Sequence, residues 1–258
     1  MNINTSTITL TFGDQAENNT GMEQIGQLSK EGFSLKDLQD AQKKIPSKYT
    51  TELIHLNPHL PKSYQADDAY ILIVRKGIEA LLKTVDATAL FNEQAALPVD
   101  KKAFMRGRVV NKIARHNLCF ADYDQDPDYT NKKGTIIKFT KMKYTNELRE
   151  AFPSILGSKA KKLMGEGNYY YDATQCGVGF HGDAERRKVI GIRLGVSMPL
   201  EYQWFYQGKS VGTRQKLTLN HGDFYVMSEK AVGTDWKRRV IPTLRHAAGC
   251  AKYLKTKT

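Results

Sequence analysis

His181 and Asp183 stand two residues apart in the segment Gly177-Val178-Gly179-Phe180-His181-Gly182-Asp183. On an extended backbone, side chains at i and i+2 point to the same face. One imidazole nitrogen and one carboxylate oxygen can therefore converge on a single cation. A second histidine from elsewhere would complete a set of two imidazoles and one carboxylate, the facial arrangement that suits Fe(II) and leaves positions open for a chelating keto acid and O2. His246, in Thr243-Leu244-Arg245-His246-Ala247-Ala248-Gly249, is available for that place, and His221, ahead of Gly222-Asp223, competes for it. His55 and His59 lie four residues apart, but Pro58 between them argues against a helical metal pair.

The elements that must position these groups read mainly as short strands. Val189 to Leu194 is a buried strand, Tyr202, Trp204 and Tyr206 alternate along another, and Lys216–Leu219 and Phe224–Met227 flank the His221-Gly222-Asp223 turn. Gly134 to Phe139 and Ile8 to Phe12 are further strands. Such strands at such intervals, with turn signals between them, point to an antiparallel barrel or sandwich. Helices are expected over Met22–Leu28, after the capping box of Ser34-Leu35-Lys36-Asp37 with Pro46 ending it, and from Asp67 or Asp68 through Ile71, Val74, Ile78 and Leu82. Residues 101–118 are basic and helix-compatible; Asn146–Phe152, stopped by Pro153, and Ile155–Met164 make two more helices.

The chain has 258 residues, 40% of them hydrophobic, enough for one large domain or a domain with an extension. With no long apolar run and no secretory leader pattern, the expectation is a soluble, intracellular protein with no membrane partner, monomeric by default. Cys119, Cys176 and Cys250 have no zinc-type spacing and read as reduced thiols. The net charge is +12, concentrated in residues 101–150 (twelve Lys/Arg against six Asp/Glu) and 229–258 (eight against two). That distribution points to a polyanion-facing surface and hence to nucleic acid, DNA or RNA, as partner.

The sequence Asn168-Tyr169-Tyr170-Tyr171, then Gly-x-Gly-Phe-His-x-Asp, then an apolar strand, then Asn220-His221-Gly222-Asp223 before Phe224–Met227, resembles the AlkB-type branch of the Fe(II)/2-oxoglutarate dioxygenases from about Arg115 onward. The resemblance implies an α+β fold with a double-stranded β-helix (jelly-roll) core. Residues 1–100 are then a mostly helical N-terminal extension packed on that core. Residues 101–258 form the dioxygenase domain, including a basic and aromatic lid over about 101–145. The resemblance makes His181, Asp183 and His246 the iron ligands and places no ligand at His221.

The implied reaction couples decarboxylation of 2-oxoglutarate to succinate and CO2 with hydroxylation of a C–H bond by O2; an N-methyl group so hydroxylated leaves as formaldehyde. The family's arginine for the co-substrate's distal carboxylate, on the strand after the second histidine, has no counterpart here; Lys255, nine residues past His246, is expected to take that task, with Arg193 on the strand after the metal motif as the alternative. Tyr171 matches the family's co-substrate tyrosine, and Asn168 is adjacent to the place of its asparagine. Phe120, Tyr123 and Tyr129 are candidates for stacking bases, and Arg186, Arg187, Lys237, Arg238 and Arg239 for contacting phosphates.

The leading expectation is oxidation of a base or alkylated base in nucleic acid. The same chemistry on a protein or small molecule is the alternative, and a non-enzymatic nucleic-acid binder is the second.

Overall fold

The computed structural model describes residues 1–82 and 86–256. β1 (Thr7–Gly13) turns threonines to one face and Ile8, Leu10 and Phe12 to the other. β2 (Gln15–Glu17) and β3 (Gln24–Gly26) make a small hairpin where helical spacing had suggested a helix. α1 (Leu35–Lys44) opens on the expected capping box, Asp37 N donating to Ser34 Oγ at 3.2 Å and Ser34 N to Asp37 Oδ2 at 2.7 Å. β4 (Thr51–His55) and β5 (Tyr70–Val74) follow. The expected helix through Ile71 and Val74 is thus corrected to a strand: Ile71–Val74 is an unbroken apolar run buried on both faces, as a central strand requires.

Next come α2 (Gly77–Leu81) and α3 (Ala87–Ala95). The basic segment expected to be helical is instead the hairpin of β6 (Lys102–Met105) and β7 (Arg108–Asn111). It turns at Arg106 and Gly107, both at positive φ (51° and 80°), as a two-residue hairpin loop demands. The chain continues through β8 (His116–Ala121), β9 (Ile136–Lys138) and α4 (Lys143–Leu156). α4 runs through Pro153 as one helix, with Pro153 in its last turns. β10 (Met164–Tyr170), β11 (Gly177–His181), β12 (Val189–Gly195), β13 (Met198–Tyr206), β14 (Lys209–Leu219), β15 (Phe224–Met227), α5 (Glu229–Val232) and β16 (Thr243–Gly249) complete it.

The result is a mixed, mostly sheet fold with two facing sheets. The larger has eight strands in the order β4-β5-β15-β12-β1-β10-β8-β9, and the smaller four in the order β11-β16-β13-β14. Helices cover one face of the larger sheet, where Phe12, Ile192 and Leu194 join Leu38, Leu90, Leu148 and Phe152 in one core. Its other face meets the smaller sheet through Tyr170, Val189, Tyr225 and Met227 against Leu200, Tyr202, Trp204 and Leu244. The expected helical N-terminal extension is not seen: β1, β4 and β5 are strands of the larger sheet, and β1 lies between β10 and β12 at its centre.

From β10 to β16 the chain visits the larger sheet, the smaller, the larger, the smaller twice, the larger and the smaller. Among the described residues no helix is long and apolar enough to cross a membrane. Cys119, Cys176 and Cys250 are free thiols.

Candidate metal centre

β11 and β16 are neighbours in the smaller sheet, and their register sets His181 opposite His246. Strand alternation turns His246 inward with Leu244, between the two sheets. Asp183 follows just past the end of β11. Its approach depends on Gly182, where a Cβ would lie 2.1 Å from the Gly233 carbonyl oxygen; without one, the loop packs close enough for Asp183 N to donate to Val232 O at 3.0 Å.

Ligand atoms of His181, Asp183 and His246 all lie within 4.8 Å of one another, and the set could hold a metal ion. His181 Nε2 is 3.4 Å and His246 Nε2 3.8 Å from Asp183 Oδ1. His181 Nδ1 sits 2.7 Å from Gly179 O, and since a carbonyl only accepts, Nδ1 carries a proton; in the neutral ring Nε2 is then left with its lone pair toward the site. His221 lies elsewhere, its Nδ1 accepting from Gly195 N at 2.9 Å.

Burial drives the His246 imidazole down to about 4, so it is neutral at ordinary pH. Burial also opposes charge on His181, but the hydrogen bond and charge of Asp183 outweigh it and hold His181 above the usual histidine value. Asp183 is held far below the carboxylate range: burial would raise it, but His181, His246 and Arg186 together prevail. A metal ligand must be deprotonated. Metal affinity is therefore expected to fall with decreasing pH, beginning above the ordinary histidine pKa of about 6.5, because His181 protonates first while Asp183 stays ionised. Mn(II) titrations across that range check this; an affinity independent of pH would contradict a histidine ligand.

Arg186, expected to meet phosphate, is instead buried at 3% exposure. Its Nη2 pairs with Glu166 and, at 2.8 Å, with Glu185, while Nε lies 4.0 Å from Asp183 Oδ2. It neutralises the carboxylates beside the metal set. Burial raises the nearby Glu17 to about 7, with Glu185 and Glu166 adding to the shift.

Arg193, on β12, is 1% exposed, and its Nε and Nη1 have no hydrogen-bond partner among the described residues. Burial lowers its pKa, and Tyr225, Tyr170 and Asp223 oppose the shift. Alternation on β12 puts Arg193 on the same side as Val189, in the space between the sheets that also receives Tyr170, Tyr202 and Tyr225. Lys255, by contrast, is exposed.

Tyr171 is 40% exposed, donates from its hydroxyl to Ile113 O at 2.7 Å and stacks on His116, so it faces away from this space. Tyr170 occupies the inward position. Asn168 is buried, its Oδ1 accepting from Arg115 and Asn117 and its Nδ2 donating to Glu166. The signal for Tyr170 is present only as strand phase, which a run of three tyrosines conceals.

Of the expected stacking residues, Phe120 is fully buried in the core under the helices and presents no face to a base. Tyr129 donates to Asp100 at 2.7 Å, and Tyr123 is 47% exposed. Arg187 pairs with Glu229; Lys237, Arg238 and Arg239 are exposed.

No protein-family model matches the chain. It is 50% identical over 252 residues to an uncharacterized protein of Acanthamoeba polyphaga mimivirus, a match that covers 96% of this chain and 98% of the viral protein. The chain belongs to the same family as that mimivirus protein.

Proposed function

We propose that the protein is an Fe(II)- and 2-oxoglutarate-dependent oxygenase of AlkB type that oxidises a base, or an alkyl group carried on one, in nucleic acid. The observation that carries this reading is the His181–Asp183–His246 set facing an inter-sheet space that also holds the unpartnered guanidinium of Arg193. Fe(II) bound by the set would supply O2 activation coupled to decarboxylation of 2-oxoglutarate. The chain's own residues do the rest. His246 offers a neutral nitrogen and His181 does so once deprotonated, while Arg186 adds to the charges that keep Asp183 ionised. Arg193 offers two donors to a carboxylate that would be costly to bury unpaired. The phenols of Tyr170 and Tyr225 line the same space.

The strand pattern supports the reading. Counted after β16, β1 completes the alternation between sheets that a double-stranded β-helix follows, so the closing strand comes from ahead of the others in sequence. On this reading the strand that carries the family's arginine is β1, which turns Thr7, Thr9 and Thr11 inward, and its neighbour β12 supplies Arg193 instead.

Nucleic acid as substrate is supported by the β6–β7 hairpin. It exposes Lys102, Arg106 and Arg108 together with Met105 and Val109, and cationic surface with apolar contact suits polynucleotides. The segment after it is tied to the metal-bearing strand, Gly177 N donating to Ala114 O at 3.1 Å.

Iron-dependent conversion of 2-oxoglutarate to succinate, assayed against a panel of methylated oligonucleotides, tests the reading. Succinate formation stimulated by one of them is expected; turnover stimulated only by proteins or small molecules would move the substrate class. For the co-substrate, Arg193→Met is expected to weaken 2-oxoglutarate binding at least about thirtyfold, roughly 2 kcal/mol of lost charged hydrogen bonding. Lys255→Ala should leave it nearly unchanged. Calorimetric titration of both variants decides between the two cations.

A further inference from the structure

We propose that the loop carrying Asp183 and the loop of residues 233–238 together form a phosphate-binding pocket that holds a backbone phosphate of the nucleic-acid substrate; the polynucleotide source rests on the proposed function above. The two loops meet at the Gly182–Gly233 contact, where neither residue has room for a side chain. Beside that contact lies a pocket of about 310 Å³ lined by Leu28, Ala184, Arg187, Asp235, Lys237 and Arg238.

Three cations from two segments about fifty residues apart thus converge on a pocket that Ala184, the residue after Asp183, also lines. Lys237 and Arg238 form no salt bridge among the described residues, and Arg187 spends only Nη1 on Glu229, leaving Nη2 without a hydrogen bond there. The single carboxylate of the pocket, Asp235, already pairs with Lys230 at 2.7 Å. Among the described residues the pocket therefore keeps a positive excess: three cations line it against Asp235, and of the three only Arg187 is paired, with Glu229. A tetrahedral dianion or a phosphodiester, with acceptor oxygens on every side, matches donors arriving from separate loops. Its place next to Asp183 would hold the chain of the substrate beside the metal set. Arg239 belongs to the same basic run but lies outside the pocket, its Nη2 donating to Gln207 O at 3.2 Å.

The test uses full-length protein carrying Asp183→Ala, so that binding is read without turnover. Fluorescence anisotropy with a labelled single-stranded oligonucleotide is measured across salt concentrations for this background, for Lys237→Ala with Arg238→Ala, and for Arg239→Ala. The double variant is expected to weaken binding at least about fivefold and to reduce the slope of log K against log salt by about 1.4, two phosphate contacts' worth on a single strand. Arg239→Ala should reduce the slope by much less. An equal loss for Arg239→Ala, or none for the double variant, would overturn the pocket while leaving the oxygenase reading untouched. Competition with inorganic phosphate and with a nucleoside monophosphate forms the second arm. Binding of these small anions that depends on Lys237 and Arg238, with no oligonucleotide binding, would overturn the polynucleotide as the source of the phosphate.

Discussion

Asp183→Ala is expected to lower metal affinity by more than about a hundredfold, beyond the range seen for outer-sphere partners of metal ligands, and to abolish iron-dependent turnover. The carboxylate is the one anionic member of the set, and both histidine Nε2 atoms face its Oδ1. It takes away a ligand and little packing, so the fold should persist: Arg186 keeps Glu166 and Glu185 as partners when Asp183 is gone. His246→Ala should behave likewise. His221→Ala, which removes an acceptor for Gly195 N and a 3.4 Å contact with Thr88 Oγ1, should leave metal binding intact. Retention of stoichiometric metal by Asp183→Ala would remove the centre from the place assigned to it.

Arg186→Met should be the most destabilising of the changes near the site. Arg186 is buried among Glu166, Glu185 and Asp183, and removing one member of such a group strands the opposite charges without solvent. The expected cost is about 3–5 kcal/mol, a drop in Tm of about 6–20 °C for a chain of this size. The sign of the pH dependence separates this from a packing defect. Without the guanidinium, the stranded carboxylates favour their protonated forms in the fold, so their folded pKa values rise above the unfolded ones. Protonation then stabilises the folded state, and the variant's deficit relative to wild type should shrink as pH is lowered. A deficit constant with pH would mean that Arg186 acts through its aliphatic stem alone.

Local patterning made much of this visible and hid the rest for identifiable reasons. β1, α1, β12 and β15 carry their signals within a few residues: alternating threonines, a capping box, short apolar runs. β5 misled because its own Ile71 and Val74, with Ile78 beyond it, also fit helical spacing; burial on both faces, known only from the sheet, decides it. The β6–β7 hairpin hid behind a turn of Arg106-Gly107, where a non-glycine residue takes positive φ.

No periodicity could reveal that β1 would lie between β10 and β12, since that pairing spans more than 150 residues. At the site, His-x-Asp was legible from spacing alone. The choice of His246 rests on β11–β16 register, and Arg186 changes from surface cation to buried counter-ion because Glu166 waits on β10, twenty residues upstream. Arg193 stood out in the sequence only as a charge within a buried strand; in the structure its Nε and Nη1 are buried without a partner among the described residues.

The central claim is that one inter-sheet space holds a metal ion and a keto acid together. Anaerobic calorimetric titration of 2-oxoglutarate into Fe(II)-loaded protein tests it most directly. One molecule of 2-oxoglutarate per chain should bind when metal is present, with affinity falling sharply in metal-free protein, in Asp183→Ala and in Arg193→Met. Binding that is absent from the loaded wild-type protein, or equally tight in all four samples, would contradict it.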